Sequence, residues 1–104
     1  MKYVLVYHGG SAGATPEEQQ KAMEEWGKWF GTLGPALADG GAPFSGKVNT
    51  ISPAGSVSDG PKGEGASGYS ILEADSLDAA VGMGKGCPLL STGGTISVYE
   101  TYEM

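Results

Sequence analysis

The chain has 104 residues, of which 39% are hydrophobic and 19 are glycine, with a formal net charge of −6. That length fits one domain over 1–104 with a modest core. The six basic residues are all lysines and lie scattered, which argues against a nucleic-acid partner and against an anionic membrane surface. A single cysteine excludes an intrachain disulfide, and no stretch approaches the ~20 apolar residues of a membrane span.

Residues 2–8, KYVLVYH, are β-branched and aromatic and read as a strand. Tyr3, Leu5 and Tyr7 face one way, and Val4, Val6 and His8 the other. Both faces are largely apolar, as in a strand covered on both sides. The apolar run at 3–6 is too short for a signal-peptide core, so a soluble cytoplasmic protein is expected.

After a loop at 9–14, Thr15 caps a helix, Pro16 takes its first position and Glu18 completes a capping box. The helix is predicted to run to Leu33, with Ala22, Trp26, Phe30 and Leu33 at helical spacing. Two tryptophans three apart, Trp26 and Trp29, cannot both point at the centre of one narrow contact. One of them is a candidate for the edge of a helix–sheet cleft. Gly34-Pro35 breaks the helix and starts one further turn through Asp39, closed by Gly40-Gly41. Residues 47–52 read as a strand, and 56–58 as a short strand that returns from it as a hairpin. A glycine-rich crossing leads to a strand at 68–74. Ser76 then caps a second helix over 77–86, which Cys87-Pro88 stops. The last strand is 95–102, and Glu100 and Glu103 form a solvated acidic end.

The predicted order is β-α-β-β-β-α-β, which reduces to β-α-β-β-α-β if the short strand is a hairpin arm. That is an α+β, ferredoxin-like arrangement, an antiparallel sheet with both helices on one face. The other face is then bare, yet Ile71 and Leu72, and Val98 and Tyr99, put apolar side chains on both sides. Such exposure predicts a homodimer through the sheet face.

The motifs carry little cofactor chemistry. Gly63, Gly65 and Gly68 have G-x-G-x-x-G spacing, but a dinucleotide loop runs from strand to helix, and Gly68 opens a strand. The segment 41–47 has phosphate-loop spacing, but Val48 replaces the magnesium-binding Ser or Thr and the loop also enters a strand. No cofactor is predicted. No metal is predicted either, since His8 and Cys87 share no ligand spacing. His8 is the one imidazole and so the one candidate histidine base, with Asp59 as a carboxylate that could orient it. Both also have ordinary explanations, a strand-end histidine and a turn aspartate. Cys87 reads as a buried, inert thiol whose place at a helix carboxyl end raises its pKa.

Met1-Lys2-Tyr3, Asp59-Gly60-Pro61, Gly68-Tyr69-x-Ile71-x-Glu73 and Ser76-Leu77-Asp78-x-Ala80 follow one another along most of the chain. In these residues the chain resembles the YCII-related family, in the branch known for a DGPF motif. The resemblance implies a ferredoxin-like fold in a dimeric α/β barrel. The chain departs from the pattern at Lys62, where the motif has phenylalanine. Trp26 and Cys87 stand nearest the positions where the family carries a His–Asp pair, and neither can replace a proton-transfer dyad. Three functions follow in order of preference. The first is a small-ligand-binding or regulatory homodimer with Trp26 and Tyr69 as flat contacts and His8 and Asp59 as polar ones. The second is a cofactor-free isomerase, lyase or small oxygenase with His8 as base, and the third a structural or partner-binding dimer.

Overall fold

The computed structural model describes residues 1–10, 15–63 and 65–102. Residues 11–14 of the loop at 9–14, Glu64 of the crossing at 60–67, and Glu103 lie outside the described residues. The fold is α+β, with two helices, a four-stranded antiparallel sheet and a separate two-stranded sheet.

Strand β1, Lys2–His8, is central, paired antiparallel with β5, Gly68–Glu73, on one side and with β6, Thr95–Glu100, on the other. Strand β2, Leu37–Pro43, pairs with β5, so the sheet order is β2-β5-β1-β6. Strands β3, Asn49–Ile51, and β4, Val57–Asp59, pair only with each other among the described residues.

Helix α1, Pro16–Leu33, begins where the sequence puts it: Thr15 is extended and its hydroxyl accepts from the Glu18 amide at 3.1 Å. It ends at Gly34, whose N–H still makes the helical bond to the Phe30 carbonyl and whose positive φ of 54° then turns the chain out of the helix. Helix α2, Leu77–Gly84, is capped by Ser76, which accepts from the Ala79 amide at 3.1 Å.

One sequence expectation fails between the helix and the hairpin. The pattern at 34–39 predicts a helical turn, whereas the chain makes a short 3-10 turn over Gly34–Ala36 and then enters β2. Leu-Ala-Asp-Gly-Gly-Ala-Pro has no β-branched residue, so strand propensity is nearly absent; pairing with β5 imposes the conformation. The register slips twice, between Leu37 and Asp39 and between Asp39 and Ala42. At the second slip Gly41 takes φ of 72°, and a Cβ there would run into the Tyr69 carbonyl. The strand at 47–52 accordingly lies outside the main sheet, as one half of an arm. All the arm's strand residues except Thr50 are exposed. The radius of gyration is 15.1 Å, against about 13 Å for a compact domain of this length.

Tyr3, Leu5 and Tyr7 of β1 and Leu72 of β5 turn to the helices and are buried. Leu5, Tyr7 and Leu72 share a cluster with Trp29 of α1 and with Cys87 and Leu89; Tyr3 packs with Ala74 and with Ala80 of α2. Fully burying a leucine such as Leu5 contributes roughly 1.5–3 kcal/mol. The Trp29 indole N–H donates to the Met83 carbonyl at 3.1 Å and ties the helices together. Val4, Val6 and Ile71 belong to neither cluster; they stand half-buried on the opposite face, beside Tyr99, which is 57% exposed.

Candidate functional site

A cleft of about 630 Å³ opens between α1 and the edge of the sheet. Its helix wall is Gln19, Ala22, Met23, Glu25, Trp26 and Phe30. Its sheet wall is Tyr7 with the bulged part of β2, Gly40 to Pro43, and its end is closed by Pro88, Leu89 and Thr92. The strand that replaces the predicted helical turn therefore bears on the site. Glycines at 40 and 41 leave the middle of that wall without side chains, at the stretch where the register slips.

Trp26 is the centre of the aromatic lining. Its ring meets Tyr7 edge-on at 5.3 Å, Trp29 at 5.6 Å and Phe30 at 5.8 Å between centroids. Trp29 is only 6% exposed, whereas Trp26 is half-buried and borders the cleft. The two tryptophans thus divide the core and cleft roles that their spacing allows.

Beneath the rings runs a short polar relay. The Tyr7 hydroxyl donates to Ser70 Oγ at 2.6 Å, and Ser70 Oγ donates to the Gly40 carbonyl at 2.8 Å. Ser70 is fully buried, so its oxygen depends on these two partners. Burial pushes the Tyr7 hydroxyl up to about 12 against a lowering by Ser70, so it stays protonated at neutral pH. Burial likewise pushes the Cys87 thiol up to about 11. Cys87 follows α2, as its sequence suggests, but desolvation is the leading cause of its shift.

The sequence-predicted site residues do not converge. Tyr69 borders the cleft, but alternation along β5 puts its ring on the face opposite Ser70 and Leu72, where it lies 5.9 Å from Phe44. His8 does not line the cleft. Its Nδ1 lies 3.1 Å from the Gly65 carbonyl and its Nε2 3.4 Å from Ser97 Oγ. Asp59 ends β4 on the exposed arm, where it borders an open depression of about 550 Å³ with Lys47 and Asn49. With its amide turned to satisfy both ends, Asn49 donates to Asp59 Oδ1 at 3.1 Å. No hydrogen bond or ion pair joins His8 to Asp59 among the described residues.

Sequence reasoning missed Glu25, Tyr7 and Ser70. A signal for Ser70 exists: it is the one hydroxyl at an inward position of β5, between Gly68 and Leu72. The glycine spacing at 63, 65 and 68 leads into β5, and no helix follows until α2. Gly68 is needed for close packing, since a Cβ there would lie 3.0 Å from the Ala42 carbonyl. Among the described residues no cluster of three or more His, Cys, Asp or Glu is placed to hold a metal ion, and no helix is long and apolar enough to cross a membrane. Comparison with family models and with curated proteins gives no match for this chain.

Proposed function

We propose that the chain is a homodimeric small-ligand-binding protein, regulatory in role, that takes a planar molecule into the cleft between α1 and the sheet. The observation that carries this is the cleft itself: about 630 Å³, with Trp26 and Phe30 on the helix wall and Tyr7 beside two glycines on the sheet wall. That volume lies within the roughly 300–1,000 Å³ of small-molecule sites.

The strand order β2-β5-β1-β6, with both helices on one face, supports a ferredoxin-like unit into which the β3–β4 arm is inserted. Val4, Val6, Ile71 and Tyr99 on the bare face support a second copy packed sheet against sheet, in the manner of a dimeric α/β barrel. The YCII-related resemblance fits this architecture. Trp26 and Cys87 stand nearest the positions of that family's proton-transferring pair, and Trp26 packs against the apolar cluster that holds Cys87. The architecture is kept on this reading, and the dyad's chemistry is not. A cofactor-free enzyme with His8 as base draws less support, because His8 faces a backbone carbonyl and a serine rather than a carboxylate.

Nuclear magnetic resonance of the ¹⁵N-labelled protein tests the cleft, since its two tryptophans give two indole N–H signals. Titration with indole is expected to move the Trp26 signal saturably and to leave Trp29, bonded to Met83, nearly still. Ala22→Phe, which fills the cleft, is expected to abolish the movement. A Trp26 signal unmoved up to the solubility limit of indole contradicts the proposal.

A further inference from the structure

The cleft has a polarity that selects among ligands. Gln19 and Trp26 give it neutral donors, an amide and an indole N–H. Of its hydroxyl-bearing residues other than Tyr69, whose ring turns to the opposite face, each has its proton already spent inside the protein. Tyr7 donates to Ser70 Oγ at 2.6 Å, Ser67 to the Gly9 carbonyl at 3.1 Å, and Thr92 to the Leu89 carbonyl at 2.8 Å. The Gly41 amide of the facing wall is spent as well, on Asp39 Oδ1 at 2.8 Å. Among the described lining residues the one charged side chain is Glu25, a half-buried carboxylate that only accepts. Among the described residues no lysine or histidine borders the space. The positive end of α1 lies nearby, but Glu17 and Glu18 occupy its first turn and offset it. The chain's net charge of −6 adds a field of the same sign.

We propose that the cleft selects planar molecules carrying an N–H donor or a positive charge, such as aryl or indolyl amines, and discriminates against carboxylates and phosphates. Trp26 contributes a ring on which such a cation is held by the π face, and Glu25 accepts from the nitrogen. This inference rests on the cleft being the ligand site.

Three probes with one ring system separate the two ideas: indole, tryptamine and indole-3-acetate, each titrated at pH 7 against the Trp26 indole signal. Tryptamine is expected to bind about tenfold more tightly than indole-3-acetate, with indole between them. Glu25→Gln is expected to narrow that gap severalfold. Glu24→Gln, on the exposed side of the same helix, changes net charge equally and is expected to leave it intact. Indole-3-acetate binding as tightly as tryptamine, or a gap that survives Glu25→Gln undiminished, overturns the selection while the ligand site stands. Silence from all three probes overturns both.

Discussion

Replacing Tyr7 with phenylalanine and Ser70 with alanine, singly and together, probes the relay that underlies the cleft. Tyr7→Phe keeps the ring and removes the bond to Ser70 Oγ, while Ser70 still donates to the Gly40 carbonyl. One hydrogen bond is lost and no buried donor is orphaned, so the cost is about 1 kcal/mol. Ser70→Ala removes both bonds at a fully buried position and leaves the Tyr7 hydroxyl and the Gly40 carbonyl without that partner. Its cost is about 2–3 kcal/mol. In the double variant the orphaned hydroxyl is gone, so the two losses should fall short of additivity by about 1 kcal/mol. Urea denaturation at fixed protein concentration, followed by tryptophan emission and far-ultraviolet circular dichroism, gives the four free energies. The same cycle in melting temperature should place Tyr7→Phe about 4–8 °C below the parent. Additivity within about 0.3 kcal/mol would show the two hydroxyls to be energetically independent and would refute the relay.

Three further expectations follow from other parts of the molecule. The folded-state pKa values of Cys87 and Tyr7 are raised above their ordinary 9.0 and 10.0, so the neutral forms stabilise the fold. Their contribution is complete below pH 9 and is lost as pH rises through about 11 for Cys87 and about 12 for Tyr7. Cys87→Ala should delay the onset of that loss to near pH 10 in denaturation curves taken across the range; an unchanged onset counts against it. Gly41→Ala should destabilise by more than about 2 kcal/mol, because positive φ and the Tyr69 carbonyl both oppose a Cβ. Gly46→Ala, with positive φ but open space, should cost only about 1 kcal/mol; equal costs in urea melts would deny the close approach. Sedimentation equilibrium should report twice the 10.6 kDa chain mass for the parent protein and the single mass for Val6→Asp. A parent that sediments as one chain removes the dimer.

Much of the fold was legible because local signals agreed with tertiary need. Thr15-Pro16 and Ser76 mark the helix starts by capping chemistry, and β1, β5 and β6 are β-branched or aromatic. Strand β2 was illegible because nothing in Leu-Ala-Asp-Gly-Gly-Ala-Pro favours a strand; β5 supplies the template. The error moved the arm into the sheet and hid the wall of the cleft. At the site, the spacing of Trp26 and Trp29 exposed the division between cleft and core. Pleat alternation could have placed the Tyr69 ring away from the cleft, since Ser70 and Leu72 are its neighbours. His8 and Asp59 attracted notice by residue type, but type says nothing of the distance between a sheet strand and an arm. Glu25 was hidden among the acidic residues of α1, where only the structure tells the wet side from the cleft side.

The most direct measurement is an isotope-filtered nuclear Overhauser experiment between unlabelled indole and the ¹³C-labelled protein. Cross-peaks to the methyls of Ala22, Met23 and Leu89, with none to Val4, Val6 or Ile71, are the predicted result. Cross-peaks confined to Val4, Val6 and Ile71 would place the molecule on the bare face and contradict the assignment of the cleft as the ligand site.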